Sequence, residues 1–349
     1  MKNKARNIFR IVLFTSTIIS MFYVPWILVW AWILPLPNTI QEEVNATIKH
    51  GFDGMIVYVE QTGKVPEFYT GGYHNKAQKT PANPNALFKI ASISKLYVAV
   101  AISKLVKAKR LDLNKPLAYY FPELIDRIQY ADKITLKHMV QHRSGIPNFT
   151  NYPDYWSNPP ENAEQTLSII LDLPASFKPN EDYEYSNTNY LLLSQIIDQV
   201  LGYSHQQYIK DKILTPLNLK NTFFSIKDVN IDDVMSGYHV GYEPDLKTED
   251  QGMLATAQDV GIFLRALNNG TVFNAGEQDI YTSIYEYNHG GLVPGYQSLA
   301  EYYKAIDAVV VQFTNTTNFE GYNWNLSQIS IGRIKKILQK KTSGIKEKH

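Results

Sequence analysis

The chain of 349 residues contains no cysteine. This absence excludes a thiol nucleophile, a disulfide framework, a lipid-modified cysteine and a zinc site built from thiolates. Covalent catalysis by this chain would therefore need another nucleophile. The lack of cysteine is compatible with an oxidising compartment but does not require one.

An excess of charge of either sign is also lacking. Lys and Arg together number 34, Asp and Glu number 33, and the formal net charge is +1. The sequence contains no stripe of basic residues that would predict nucleic-acid binding. It also contains no run of acidic residues that would indicate a disordered, solvated tail. Internal repeats and low-complexity tracts are absent from the sequence as well. The aromatic content of 13% favours a folded globular protein over a disordered one.

Residues 1–37 form a segment that stands apart from the predicted domain. A basic flank without acids precedes an uncharged run of about 24 residues that ends at Leu34, which is long enough to cross a bilayer core as a helix. Trp26, Trp30 and Trp32 crowd its far end, where indole rings favour the membrane interface. We expect a single-pass anchor at the cell membrane, with the N-terminus cytoplasmic and the following domain outside. A cleaved signal peptide is the alternative, although no small-residue cleavage site is evident near Leu34.

The rest of the chain shows strand patterns near both ends and helical patterns between them. Gly54–Glu60 and Ala308–Thr314 are rich in β-branched residues and predict strands. Ser92–Lys109 has apolar residues near helical spacing and no glycine or proline, which predicts a helix. Thr256 is a plausible N-cap of a later helix. Strands at both ends indicate one sheet built from the two termini of the domain.

Residues 38–349 are therefore predicted to form one domain with two parts. We assign a sheet subdomain to about 38–115 and 250–349, and a helical subdomain to about 116–249. The proposed insertion is rich in helical patterns and contains a proline-rich loop.

The first pattern with chemical content is Ser92-Ile-Ser-Lys95. Residues i and i+3 share one face of a helix, so the Lys95 amine can reach the Ser92 hydroxyl. A serine hydroxyl needs a nearby base to become a good nucleophile, and a lysine can serve if burial lowers its pKa. The spacing alone is weak evidence, because Ser343 and Lys346 repeat it in the basic tail.

Two further patterns follow Ser92 along the chain. Tyr185-Ser-Asn187 offers a phenol that can relay a proton and an amide that can hold a substrate. His289-Gly290-Gly291 offers a strand edge that a ligand can approach closely, with backbone N–H groups for a developing oxyanion. Each pattern alone is also common in turns and carries little weight by itself.

The order of the three patterns resembles the S-x-x-K, Y-x-N and K-T-G or H-x-G motifs of serine β-lactamases and penicillin-binding proteins. The resemblance is closest to the branch of class C β-lactamases, DD-carboxypeptidases, D-aminopeptidases and carboxylesterases, and it runs from about Gly54 to Thr314. Other segments that resemble this branch are Leu87–Lys95, Lys109–Leu117, Tyr120–Glu123, His138–Pro147 and Gly252–Val260. The resemblance implies an α/β (α+β) fold of the β-lactamase/transpeptidase type. In that fold an antiparallel sheet is flanked by helices and carries an inserted all-helical subdomain.

The resemblance also implies roles for individual residues. Ser92 attacks the substrate carbonyl and forms an acyl-enzyme, and Lys95 and Tyr185 handle the proton. Asn187 orients the substrate. The backbone N–H groups of Ser92 and Leu292 form the oxyanion hole. No metal and no cofactor are implied.

His289, Gly290 and Gly291 complete the implied substrate-binding set, and His289 is a departure from most β-lactamases. Those enzymes carry a lysine there, which offers a fixed positive charge to a carboxylate. Histidine is mostly neutral at pH 7, so efficient β-lactam hydrolysis is not expected. A separate pair, His138 and His142, has zinc-like spacing but lacks the glutamate of that signature, and we interpret it as packing.

We therefore predict a membrane-anchored serine hydrolase that forms an acyl-Ser92 intermediate. Its substrate is expected to be an amide or ester, either a small molecule or a cell-wall D-amino-acid peptide or ester. The alternatives are a catalytically weak penicillin-recognising or wall-binding protein, and a true β-lactamase. The tyrosines of Tyr281–Tyr287 fit either a substrate wall or a packed strand face. The acyl acceptor and the oligomeric state stay open.

Overall fold

The structure, a computed structural model, describes residues 2–346. Within this range it contains eleven β-strands and twelve α-helices. The strands are β1 (Gly54–Gln61), β2 (Glu67–Asn75), β3 (Thr80–Pro81), β4 (Phe88–Lys89), β5 (Thr222–Phe223), β6 (Tyr238–His239), β7 (Leu254–Ala255), β8 (His289–Val293), β9 (Tyr296–Tyr303), β10 (Ala308–Thr314) and β11 (Thr316–Thr317). The helices are α1 (Lys2–Met21), α2 (Trp26–Ile33), α3 (Ile40–Ile48), α4 (Ser94–Lys107), α5 (Leu117–Tyr120), α6 (Leu136–Val140), α7 (Ala163–Ser168), α8 (Asn187–Leu201), α9 (His205–Ile209), α10 (Ala257–Asn269), α11 (Glu277–Thr282) and α12 (Asn323–Lys346).

The central sheet has six strands in the order β3-β2-β1-β10-β9-β8, and its neighbours pair antiparallel. Strands from the two ends of the domain lie side by side, with Met55 of β1 opposite Thr314 of β10. The predicted antiparallel sheet is therefore confirmed. β8 ends the sheet, so one of its edges is left for other contacts.

Both faces of the sheet are covered, as the alternation of side chains requires. Met55, Val57 and Val59 of β1 are buried in one cluster with apolar residues of α3 and α12. Ile56 and Tyr58 point to the opposite face, where they join the larger cluster that includes α4 and α10. The sheet thus forms the middle layer between two helical layers.

The stretch 116–249 carries α5 to α9 and is rich in helix, as expected. Two short strands also fall within it. One of them, β5, pairs with β7 in a small sheet of order β4-β7-β5. This sheet connects the insertion to β4, the strand that precedes Ser92. The subdomain boundaries at about 116 and 250 stay a prediction.

The N-terminal segment consists of two helices where the sequence predicts one continuous helix. The chain breaks between Met21 and Trp26, because Pro25 has no N–H to continue the helical ladder. Within residues 2–346, no single helix is both long and apolar enough for a membrane span. Lys4–Met21 and Trp26–Ile33 pass that criterion only together, by length and composition, and they are bent by 79°.

Candidate active site

Ser92 lies in a tight turn between β4 and α4. The turn is a 3-10 helix over Ala91–Ile93, and Ala91 has a φ of 48°, a left-handed conformation that non-glycine residues rarely adopt. The preceding Ile90 is held on both sides, since its N–H donates to the Met253 carbonyl at 3.0 Å and its carbonyl accepts from Ser298 Oγ at 2.9 Å. These bonds fix the strained turn that presents Ser92.

Lys95 is the residue that the sequence predicts as the base. Its Nζ lies 3.0 Å from Oγ of Ser92 and 2.8 Å from Oδ1 of Asn187. Only 6% of the residue is exposed, and neither of these partners is charged. Burial therefore lowers the pKa of Lys95 to about 7, because the ammonium form loses its hydration without gaining a carboxylate. A large share of Lys95 is neutral at physiological pH and able to accept a proton.

Tyr185 contacts the Ser92 hydroxyl from another side. Its hydroxyl donates to Ser92 Oγ at 2.7 Å. Burial raises the pKa of Tyr185 above its usual range, so the phenol keeps its proton at neutral pH. Since Tyr185 donates to Ser92, the hydroxyl proton of Ser92 is free to point to Lys95. The Lys95 amine also lies 5.1 Å from the centre of the Tyr185 ring.

Asn187 is oriented by two residues that the sequence did not single out. Oδ1 of Asn148 accepts from the backbone N–H of Asn187 at 3.0 Å, and Thr150 Oγ1 accepts from Asn187 Nδ2 at 3.2 Å. Asn148 Oδ1 also accepts from Asn187 Nδ2 at 3.3 Å, so both acceptors hold the amide nitrogen and the amide oxygen faces Lys95. Asn148 and Thr150 follow the Gly-Ile-Pro turn of the proline-rich loop, but nothing in their pattern marks them as functional.

His142 packs against the site rather than acting in a zinc pair. Its ring stacks on Tyr185 with centroids 4.4 Å apart, and its Nδ1 accepts from the Ser186 N–H at 3.1 Å. Burial, together with nearby Lys95 and His289, lowers the pKa of His142 to about 3. The other member of the pair, His138, caps α6 by accepting from the Thr135 N–H at 3.2 Å. Both rings are thus used in holding the backbone.

The pattern His289-Gly290-Gly291 lies in β8, the edge strand beside the turn that carries Ser92. A Cβ on Gly291 would lie 2.3 Å from the Ile90 carbonyl oxygen and 2.4 Å from Ser298 Oγ. Only glycine permits this close approach of β8 to the residues that precede Ser92. Leu292 follows in the same strand, opposite Gln297. Its oxyanion role stays a prediction.

His289, at the start of β8, is buried and neutral. Its Nδ1 lies 2.6 Å from the Gly290 carbonyl, so Nδ1–H donates there, and Nε2 accepts from the Tyr285 hydroxyl at 2.8 Å. Burial lowers the pKa of His289 to about 4. Tyr285 lies in the loop after α11, so Tyr281–Tyr287 is not a strand. The sequence left Tyr285 undistinguished among its neighbouring tyrosines.

The structure thus brings Ser92, Lys95, Tyr185 and Asn187 into one hydrogen-bonded cluster. His289 adjoins this cluster, with its ring centroid 6.3 Å from that of Tyr185. The arrangement has a hydroxyl, an amine with a large neutral share and a phenol within reach of one another, which is what acyl transfer through a serine requires.

A family model described as beta-lactamase matches residues 38–283. The chain belongs to the beta-lactamase family. It is therefore a member of the serine-hydrolase superfamily of β-lactamases and penicillin-binding proteins. The family resemblance inferred from the three sequence patterns is confirmed.

Curated relatives match this chain at moderate sequence identity over about two thirds to three quarters of its length. Protein flp of Staphylococcus aureus (strain MW2) is 28% identical over 274 residues, which cover 74% of this chain and 53% of that protein. Penicillin-binding protein 4* of Bacillus subtilis (strain 168) is 25% identical over 241 residues, covering 67% of this chain and 51% of that protein. The chain thus spans about half the length of these relatives.

Solved structures confirm the fold. The D-amino acid amidase of Ochrobactrum anthropi SV3 superposes with a TM-score of 0.78 at 21% identity, covering 87% of this chain and 99% of that one. A penicillin-binding protein of Bacillus halodurans superposes with a TM-score of 0.71 at 19% identity, covering 86% and 99%. At these identities the likeness shows the fold alone.

Proposed function

We propose that this protein hydrolyses an amide or ester through an acyl-Ser92 intermediate. The observation that carries the proposal is the position of Lys95, whose amine lies 3.0 Å from Ser92 Oγ and has a pKa of about 7. A base with a pKa near the working pH combines a useful neutral fraction with enough basicity to take the serine proton.

The geometry supports an ordered set of proton transfers. Lys95 takes the proton of Ser92 as Oγ attacks the carbonyl carbon, and the N–H groups of Ser92 and Leu292 stabilise the resulting oxyanion. Tyr185 donates its proton to the departing amine or alcohol and is reprotonated from Lys95. Water then attacks the ester of Ser92, and the same groups act in the reverse order to release the acid.

The proposed substrate is a cell-wall D-amino-acid peptide or ester, cleaved in the manner of a DD-carboxypeptidase or esterase. Support comes from His289, which is buried, neutral and hydrogen-bonded to Tyr285 and Gly290. Without the fixed cation of most β-lactamases, the site offers no charged partner to the terminal carboxylate of a carboxypeptidase substrate. Within the proposed class, an ester or amide that lacks this carboxylate is therefore favoured over a peptide that carries it. The structural neighbours include an enzyme described as a D-amino acid amidase, and the relatives include a penicillin-binding protein.

We further propose that residues 1–37 attach the protein to the cell membrane, with the catalytic domain on the outer side. The basic flank and the uncharged run that follows it support this placement. An outer location would bring the site within reach of cell-wall substrates.

A panel of substrates tests the proposed function. The full chain, purified in detergent, is assayed with D-alanine amide, a D-alanine ester, a D-alanyl-D-alanine peptide, their L counterparts and a chromogenic cephalosporin. We expect turnover of D-configured amides, peptides or esters, loss of that turnover in Ser92→Ala, and retention in Ser343→Ala, which removes the other S-x-x-K serine. Faster turnover of the cephalosporin than of every other substrate would instead identify a β-lactamase. Acylation by a labelled penicillin without turnover of any substrate would indicate the catalytically weak alternative.

A further inference from the structure

The short helix α2 is packed onto the catalytic domain rather than extending from it as a tether. Ala31 in its centre is only 5% exposed. It lies in a small apolar cluster with Phe52, which precedes β1, and with Leu326 of α12. The helix is thus attached to two elements of the domain through buried contacts.

Arg333 of α12 fastens the end of the same helix. Its guanidinium donates to the carbonyls of Leu34 at 2.8 Å and Pro35 at 2.9 Å, and to Glu43 Oε2 of α3 at 2.9 Å. Arg333 and Glu43 are 8% and 3% exposed, so this ion pair is buried. The carbonyls at the C-terminal end of α2 lack partners within the helix, and the arginine satisfies two groups there. We call these three contacts the Arg333 clamp.

The opposite face of α2 is apolar and open. Trp26, Trp30 and Ile33, at positions i, i+4 and i+7, share this face and are 41%, 53% and 53% exposed. Trp32, on the flank of the helix, is 68% exposed. Tryptophan favours the interface between lipid tails and water, because its ring is apolar and its N–H is polar. A helix with one face on a folded domain and tryptophans on the other is suited to lie along a bilayer surface.

The angle between the first two helices fits the same placement. α1 and α2 are bent by 79°, an angle that allows α1 to run close to the bilayer normal while α2 lies in the plane of the interface. The exposed apolar residues continue from α2 through Phe22 and Tyr23 at the bend into α1. Lys4, Arg6 and Arg10 lie toward the far end of α1, where they complement anionic lipid headgroups.

We propose that α2 lies in the plane of the membrane interface and that the Arg333 clamp holds the catalytic domain to it at a set orientation. This inference builds on the membrane attachment proposed above and is independent of the chemistry at Ser92. It also requires that the segment stays uncleaved, since removal of residues 1–34 would take away α2 and the Leu34 carbonyl that Arg333 binds.

Quenching of tryptophan fluorescence by brominated lipids measures the depth of α2. The full chain is reconstituted into vesicles of phosphatidylcholine and phosphatidylglycerol that carry bromine either near the headgroup or near the chain ends. The triple variant Trp26→Phe/Trp30→Phe/Trp32→Phe removes all three tryptophans of α2, so its signal gives the contribution of the remaining tryptophans. We expect shallow bromines to quench more than deep ones, and this difference to be lost in the variant.

Two results would overturn the placement of α2. Stronger quenching by deep bromines would put α2 inside the bilayer core as part of a span. Absence of quenching by either lipid would show that α2 does not touch the bilayer. Labelling of Ser92 by a phosphonate in the same samples shows separately whether the proposed hydrolase site is intact.

The clamp is tested by energy transfer from the domain to the membrane. Because the chain has no cysteine, Ser168→Cys on the exposed side of α7 gives a unique label, and acceptor lipids mark the headgroups. Arg333→Met/Glu43→Leu removes both charges of the pair, so that neither is left unpaired in the interior. The matched control is Lys104→Met/Glu277→Leu, which removes another buried pair, 2.8 Å apart, from a site away from α2.

We expect the distribution of distances between the label at position 168 and the lipid headgroups to broaden in Arg333→Met/Glu43→Leu. It should stay narrow in the protein with both ion pairs intact and in the Lys104→Met/Glu277→Leu control. An unchanged distribution in the clamp variant, or a wild-type distribution that is already equally broad, would overturn the clamp. A clamp variant that no longer labels at Ser92 is replaced by Arg333→Lys, which keeps the charge but not the forked geometry. The same broadening is expected there, and its absence would overturn the clamp as well.

Discussion

Nζ of Lys95, in the first turn of α4, lies 3.0 Å from Oγ of Ser92 in the preceding 3-10 turn. Among the described residues, no carboxylate pairs with Lys95. An exposed lysine is neutral at pH 7 in on the order of one molecule in a thousand. Burial lowers the pKa of Lys95 to about 7 and brings the neutral fraction to about one half. Desolvation of Lys95 would thus supply the base that the proposed mechanism requires.

Replacement of Lys95 tests this role. Lys95→Ala is expected to lower kcat/KM by about 10²-fold or more, because the reaction loses its general base. Lys95→Arg should be comparably impaired, since a guanidinium keeps its proton at working pH. Steady-state kinetics on a D-alanine ester provide the measurement. Lys104→Met/Glu277→Leu, which alters another buried lysine of α4, should retain activity; an active Lys95→Ala would transfer the base role to Tyr185.

The pH dependence of kcat/KM should report the same group. The active form of Lys95 is the neutral one, so activity is expected to rise about tenfold per pH unit below pH 7 and to level off above it. His289, with a pKa of about 4, stays neutral across this range and should add no second step. A profile that is flat between pH 5 and 8 would contradict the assignment of Lys95 as base.

The hydroxyl of Tyr185 is expected to be needed for leaving-group protonation. Tyr185→Phe removes the donor that lies 2.7 Å from Ser92 Oγ and should reduce kcat by about 10²-fold. Tyr183→Phe removes a neighbouring, mostly exposed hydroxyl and serves as the control. Equal activities of the two variants in stopped-flow acylation and steady-state assays would exclude a proton-relay role.

Any side chain at Gly291 is expected to impair stability and activity, because β8 lies very close to the turn that carries Ser92. A Cβ there would lie 2.3 Å from the Ile90 carbonyl oxygen. We expect Gly291→Ala to destabilise the fold by about 1–3 kcal/mol and to displace the oxyanion donors. Gly332→Ala on α12 meets open space and should stabilise the helix by up to about 1 kcal/mol. Thermal unfolding and kcat measured on both variants check this contrast, and a fully stable, active Gly291→Ala would refute it.

A charge introduced at His289 should change which substrates react. His289→Lys places an amine where most β-lactamases carry one, and a hydrogen bond to a charged group contributes about 1.5–3 kcal/mol. Acylation by a labelled penicillin is therefore expected to become about tenfold faster or more. Tyr285→Phe, which removes the donor to Nε2 without adding charge, should not produce this gain. If the folded His289→Lys protein reacts no faster with penicillin, the explanation of specificity by the missing cation is wrong.

Local patterns were enough to predict the pairing of Ser92 with Lys95 and much of the fold. Within the helix predicted over Ser92–Lys109, α4 spans Ser94–Lys107, because its apolar residues face a core on nearly all sides. Ser92 lies in the 3-10 turn that leads into this helix, one turn before Lys95. The N-cap at Thr256 is confirmed, since its side chain accepts from the Asp259 N–H at 3.2 Å. Ala308–Thr314 is a strand with the predicted bounds.

Contacts between segments that are distant along the chain could not be predicted from the sequence alone. Asn148 and Asn187 are separated by 39 positions, and their hydrogen bond depends on how the proline-rich loop packs on α8. Tyr285 became distinct from its neighbouring tyrosines only through its bond to His289. The bend near Pro25 was missed because the uncharged run reads as one continuous helix by hydropathy, and hydropathy is insensitive to a single break.

Covalent labelling of Ser92 tests the central claim most directly. The purified full chain is treated with a fluorophosphonate near pH 8, and the intact mass is measured for the wild type, Ser92→Ala and Ser343→Ala. The account predicts one adduct on the wild type and on Ser343→Ala, and none on Ser92→Ala. An adduct that persists in Ser92→Ala, or a wild-type protein that stays unmodified, would contradict it.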